Sequence, residues 1–388
     1  MTPLPARSKP YSAALHPAPM TPDESVVSGV ARTLLESALR LKRGENVIVE
    51  TWNHTLSYAA ACVVEARRIG AHPMLLLEEE GAYWKSLEAA PAIAGWAMVG
   101  RHEWAALAKT HAYVFFPGPA DRPRFRGLPS SRVGALTVYN AEWYRRARAH
   151  RLRAVRTIIG YASDAQAGFW GVSGELWRRQ LAEATTEPDY PEMVKAGQRV
   201  SRALAKGKEL RLTASNGTDV RVKLRGRRPW TDDGVVGSDD LSAGRNIAVS
   251  PPGAVVVAVD ERSAEGVFVA SRPSFLRGGR VEGGQWEMRA GRLSDFWYTA
   301  GQAAFEGPYR TAGRGRDVVS LLSLGLNPAL APGVPQVEDQ EAGAVTLAIG
   351  GNQSYGGTNR CPFVSWVVVG EATVAVDGSA VCDRGHLL

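Results

Sequence analysis

The texture of this chain changes near residue 208, and that change limits the folds open to it. Before it, strand-length apolar runs alternate with stretches of helical period. After it, short apolar runs follow one another, broken by Gly and Pro, with few helical signals. In the first half, residues 23–41 read as an amphipathic helix, with Asp23 as N-cap and Val27, Val30, Leu34, Ala38 and Leu41 on one face. Lys42-Arg43-Gly44 then stops it. Val47–Val49 reads as a buried strand, 57–69 as a helix, and 74–77 and 113–116 as strands, with further strands expected at 135–139 and 155–159. Such alternation predicts a parallel sheet covered by helices, a three-layer α/β domain. Residues 175–206 predict two bridging helices, broken near Pro188 and Pro191.

From Glu209 the runs 210–213 and 220–224 flank Asn216-Gly217, a strong hairpin signal. Further β-rich runs lie at 254–259, 267–270, 345–349, 366–369 and 373–376, and 317–324 is expected to begin a helix. The predicted organisation is α/β followed by β. A loose N-terminal arm spans 1–22, an α/β domain with bridging helices 23–207, and a β-rich domain 208–388.

Composition narrows the function. No apolar run approaches the roughly 18 residues a membrane span needs, and the Pro- and Ala-rich arm lacks the apolar stretch of a signal peptide. Three cysteines, Cys62, Cys361 and Cys382, are too few for a disulfide framework, which fits a reducing, cytoplasmic setting. The net charge of +7 owes much to Arg145, Arg146, Arg148, Arg151, Arg153 and Arg156. No nucleic-acid motif accompanies them, so a solvated helix face is expected and nucleic acid is not an expected partner. The turn after Val49, Glu50-Thr51-Trp52-Asn53-His54, has no glycine to cradle a phosphate. Trp52, Asn53 and His54 nevertheless follow the first strand at the sheet end where such domains place ligands. Trp170, Trp177, Trp286 and Trp297 are expected in the core or an interface. Acidic residues cluster at Asp232, Asp233, Asp239 and Asp240, expected as a solvated turn rather than a Ca²⁺ loop. None of the seven histidines lies between residues 151 and 385. A metal site in the second half would have to use carboxylates, cysteine, backbone or His386.

A series of short segments carries a resemblance. In order they are Leu39–Val49 (LRLKRGENVIV), Gly217-Thr218-Asp219, Gly226-Arg227 with Asp232-Asp233-Gly234, and Leu241-Ser242-Ala243-Gly244. Then come Gly325-Leu326-Asn327-Pro328, Ala348-Ile349-Gly350 with Asn352, Gly356-Gly357, Cys361-Pro362-Phe363 and Val376-Asp377-Gly378. Each is weak alone. Their common order over roughly residues 25–385 resembles the thermophilic metallo-aminopeptidases of the aminopeptidase T or leucyl aminopeptidase type. That resemblance implies the same two-part fold, a homodimer, and two metal ions in the second domain held by two glutamates, two histidines and an aspartate. Such ions polarise a peptide carbonyl and supply hydroxide.

At the matching positions this chain has other residues. Arg245 stands for the first glutamate, Leu321 for the second, Thr346 for the first histidine, and Val364-Ser365-Trp366 for the His-x-Asp segment. Leucine, valine and tryptophan offer no metal donor, and an arginine repels a cation. No cofactor is therefore expected, and the family's activity does not follow from its fold. The expected function is a non-peptidase that binds a small polar or peptide-like ligand, plays a structural role, or catalyses without metal. The alternative is an aminopeptidase with displaced ligands such as Glu338, Asp339 or Glu341. Some dihydroxypyridine dioxygenases also resemble this fold, but they need a histidine/carboxylate iron site. The polar segment 350–360 (GGNQSYGGTNR) with its surroundings supplies the expected ligand-binding residues: Arg245, Asn327, Asn352, Gln353, Tyr355, Asn359, Arg360 and Cys361. Cys361 lacks a histidine base in its own half and is expected to be a buried, inert thiol.

Overall fold

A computed structural model describes residues 23–89, 100–128 and 130–388, the side chains of 130–139 set aside. The arm expected at 1–22 lies outside the described residues. The first helix, Glu24–Arg32, starts where Asp23 accepts the Ser25 amide at 2.8 Å, and passes into a π-helical turn at Thr33–Ala38. Its apolar stripe of Val27, Val30, Leu34 and Leu35 is buried. The second helix, Leu56–Ile69, stops at Gly70, whose φ of 86° is left-handed and therefore suits glycine.

Five parallel strands form the first sheet, in the order 72–78, 46–52, 112–115, 153–157 and 247–250. The fifth strand, Ile247–Ser250, comes from the second half of the chain. It pairs with 153–157, so that Arg156 stands opposite Val249. The strand expected at 135–139 is instead part of the helix Ser130–Ala149. The β-branched run there reads locally as a strand. Length and the Glu142 pairs with Arg145 and Arg146, each 2.6 Å, favour the helix over that weak preference. The bridging helices are Gly174–Thr186 and Tyr190–Lys206, as the prolines predict.

Besides a two-stranded ribbon of 274–276 and 279–281, the second half forms two larger antiparallel sheets around one core. The larger has eight strands, with the Asn216-Gly217 hairpin joining 209–213 to 219–223 near its middle. The smaller has five, in the order 364–369, 345–350, 319–325, 254–258 and 230–232. Residues expected to begin a helix at 317–324 make its central strand, Val319–Gly325. Every residue of that strand is buried, and a run covered on both faces carries no alternation to distinguish it from a helix.

Alternation is nevertheless real in three dimensions. Val255, Val257, Leu322, Leu324, Val345 and Leu347 point into the core shared with the eight-stranded sheet. The residues between them point the other way, towards the carboxyl end of the parallel sheet. The halves also share apolar packing: Phe275, Leu330, Val334 and Val337 join the cluster around Trp170 and Trp177. The two indoles bond to Leu276 and Pro335 carbonyls at 3.2 and 3.0 Å. Trp286 is fully buried, whereas Trp297 is 48% exposed and so is not a core residue. Among the described residues no helix is long and apolar enough to cross a membrane.

Candidate functional site

The outward face of the five-stranded sheet floors a cavity of about 750 Å³. Strand register orders this floor. Thr346 lies directly across from Ser323, which lies across from Val256, which lies across from Trp230. In the next row on the same face Trp366 meets Ala348, Ala348 meets Leu321, and Leu321 meets Ala258. Leu321, Ala348 and Ala258 form a small apolar cluster against Val256, Tyr355 and Trp366. Asp232 closes the edge beside Ala254. The opposite wall is the end of the parallel sheet, with Arg156, Ile158, Tyr161 and Val249.

The positions where the resemblance expects metal donors are thus brought together, with one exception. Leu321, Thr346, Val364 and Trp366 all line the cavity. Arg245 does not. Its guanidinium is paired with Asp240 at 2.7 Å and lies 5.2 Å from the Trp230 ring, which itself lines the cavity. Arg245, expected as a charge partner for ligand, is thus placed outside the lining and against an adjacent acid.

The polar loop divides in the same way. Gln353, Tyr355, Arg360 and Cys361 line the cavity, as do parts of Asn352 and Asn359. The two asparagine amides, however, are engaged in shaping the loop. Asn352 donates to Glu261 at 3.0 Å and accepts the Asn359 amide at 2.9 Å, and Asn359 donates to Gly315 and Gly350 carbonyls, both at 2.7 Å. Glu261 is the post to which the loop is tied, since Thr358 also bonds to it through amide and hydroxyl and Arg227 pairs with it at 2.6 Å. Burial would raise this carboxyl, but Arg227 and the loop donors outweigh it and hold it far below the ordinary range. Asn327 was expected at the site and is not. It is wholly buried, donating to the Ala184 and Pro252 carbonyls at 2.9 and 2.8 Å. Cys361 is buried, with the Ala312 carbonyl 3.8 Å from its sulfur.

Several residues that shape the cavity's chemistry escaped the sequence. Arg156, seen there only as one of a basic run, is drawn inside by its place near the end of a parallel strand. Its Nε is buried without a hydrogen-bond partner, and among the described residues it forms no ion pair. Burial works against its charge, but Tyr161, Tyr144, Asp232 and Tyr355 nearby more than offset that. The hydroxyls of Ser323 and Thr346 and the amide oxygen of Gln340 are also buried without partners, and all three residues line the cavity. Strand alternation at 319–325 would have put Ser323 on the same face as Leu321, had the run not read as a helix.

The acidic cluster of the sequence disperses. Asp232 faces the cavity, Asp233 accepts the Val235 amide, and Asp240 holds Arg245. Burial pushes the Asp232 carboxyl up to about 7 and that of Asp339, another cavity residue, up to about 6. Glu338 is pushed up to about 8, again chiefly by burial, and accepts the Phe275 amide at 3.0 Å. Glu341 is paired with Arg272 at 2.8 Å. Trp52, Asn53 and His54 lie outside the cavity's lining. Asn53 accepts the Glu80 amide at the next helix start, and His54 contacts the Gly160 carbonyl at 2.9 Å.

A family model described as thermophilic metalloprotease (M29) matches residues 24–311. The chain belongs to the thermophilic metalloprotease (M29) family. Among solved structures it is similar to wild-type AmpT from Thermus thermophilus, with a TM-score of 0.71 at 20% identity over 94% of this chain and 99% of that one. It is also similar to 2,5-dihydroxypyridine dioxygenase from Pseudomonas putida KT2440, with a TM-score of 0.63 at 14% identity over 95% and 98%. At these identities the likeness concerns the fold, which agrees with the expected α/β and β-rich architecture. No curated protein matches the chain. Among the described residues no group of three or more His, Cys, Asp or Glu side chains could hold a metal ion.

Proposed function

We propose that this M29 member uses the family's cleft without the family's two metal ions, to bind a small polar or peptide-like ligand. The observation that carries the proposal is the floor of the cavity. A dinuclear centre needs several anionic or imidazole donors converging on one point. The floor offers Leu321, Ala348, Val364 and Trp366, none of which has a donor atom, beside the neutral hydroxyls of Ser323 and Thr346. The residues present do not fit such a centre. Of the carboxylates that might replace the lost ligands, Glu341 is held by Arg272, and although Asp232, Glu338 and Asp339 line the cavity, among the described residues no three His, Cys, Asp or Glu side chains are grouped to hold a metal ion.

What remains is a ligand pocket in its own right. It is concave, joins an apolar patch of floor to polar and charged walls, and carries polar groups that have no partner among the described residues. Peptidase assays with added Zn²⁺, Co²⁺ or Mn²⁺ test the proposal. No release of N-terminal amino acids is expected, and metal-dependent release would overturn it.

A further inference from the structure

We propose that the cavity contains a carboxylate-binding subsite, with Arg156 as its cation and Ser323 and Thr346 as hydroxyl donors, and that its ligand is a small monocarboxylate with an aromatic or branched apolar body. The inference rests on the metal-free reading of the same cavity and names the class of ligand.

Three observations carry it. First, a buried guanidinium nitrogen that lacks a hydrogen-bond acceptor is costly, and such groups are normally paired. Arg156 lines the cavity with its Nε orphaned and with no ion pair among the described residues. Second, Ser323 and Thr346 are 4% and 6% exposed, stand opposite each other on adjacent strands, and open on the same cavity with unpartnered hydroxyls. Hydroxyl donors and a guanidinium fork together match an oxyanion. Third, the floor beside them is apolar and aromatic: Leu321 and Ala348 packed against Trp366, with Trp230 and Tyr355 edge to face at 5.7 Å. That surface takes a hydrophobic body, not a second charge.

The same cavity favours carboxylate over phosphate. Asp232, Glu338 and Asp339 line it as well, and the Asp339 charge acts on both of the others. A singly charged head meets little repulsion there, whereas a phosphate dianion meets more.

Titration calorimetry on EDTA-treated full-length protein tests this with benzoate, phenylacetate and 3-phenylpropionate, the corresponding neutral amides, and inorganic phosphate. At least one carboxylate should bind, with its amide and phosphate each weaker by about tenfold or more. Arg156→Met should abolish binding. Thr346→Val, nearly isosteric and safe for folding, should weaken it by several-fold, and Arg148→Met on an exposed helix position should leave it unchanged. Amides or phosphate binding as well as carboxylates, no carboxylate binding at millimolar concentration, or full binding by folded Arg156→Met or Thr346→Val would each overturn the subsite. Failure of the metal-free reading is separately visible. It would show as metal-dependent peptide cleavage, whatever the carboxylates do.

Discussion

Four buried polar groups in the cavity, those of Arg156, Ser323, Gln340 and Thr346, have no partner among the described residues. Leaving a buried hydroxyl unbonded costs about 1–3 kcal/mol, and removing it costs nothing that was being gained. Ser323→Ala and Thr346→Val should therefore leave the melting temperature unchanged or raise it, as measured by calorimetry. A fall of several degrees in both would mean that the hydroxyls are satisfied in the fold. The buried acids make a second prediction. Asp232, Asp339 and Glu338 hold their protons more tightly in the fold than in the unfolded chain, as does Glu50, pushed up to about 7 by burial. Their contribution is full below the unfolded carboxyl range and is lost progressively as pH rises from that range through about 6 to about 8. Thermal stability should fall across that window, and Asp232→Asn should make the fall shallower. An unchanged slope would mean that Asp232 does not contribute to the fall. Glu261 has the opposite sign. Its depressed carboxyl contributes above the ordinary carboxyl range and loses that contribution as pH drops below it.

At the scale of elements, the loop 350–360 is held from outside itself. Its shape depends on Glu261, which lies between the 254–258 and 265–269 strands and accepts bonds from Asn352 and Thr358. Glu261→Gln breaks the half-buried pair with Arg227 and weakens those bonds, for a loss of about 1–3 kcal/mol. Amide exchange in the loop should quicken more than in the eight-stranded sheet; uniform protection would contradict this. The strand Val319–Gly325 gives a paired test. Leu322 faces the core, so Leu322→Ala should cost about 2–5 kcal/mol, and more than Leu321→Ala on the cavity side.

The same strand explains what the sequence could not disclose. Where one face of an element is solvated, as in the 209–213 and 219–223 hairpin, alternation marked strand and register in advance. Where both faces are buried, as in 319–325, it marked neither, and Ser323 went unnoticed with it. Motif order located Leu321, Thr346, Val364 and Trp366, which the fold gathers on one surface. Motif order also pointed to Arg245 and Asn327, and there it failed. The partners that engage them, Asp240 for one and the Ala184 and Pro252 carbonyls for the other, are set by loop geometry.

Across the whole molecule, the texture change at 208 marks a real difference in architecture but not an independent unit on its first side. The parallel sheet takes its fifth strand, Ile247–Ser250, from beyond that point, and its helix-side core takes Phe275, Leu330, Val334 and Val337. A fragment ending at residue 207 should therefore lack a fixed tertiary structure by near-ultraviolet circular dichroism, and the full chain should melt in one transition. A natively folded fragment would contradict that coupling. The same coupling builds the cavity, since Arg156 comes from the parallel sheet and the floor from the antiparallel one. On the reading proposed above, this cleft, within the fold of the thermophilic metalloproteases, holds no dinuclear metal centre. Elemental analysis of purified protein after incubation with Zn²⁺, Co²⁺ or Mn²⁺ and removal of loosely bound ions tests it most directly. Well under one transition-metal ion per chain is the predicted result; two ions per chain would contradict it.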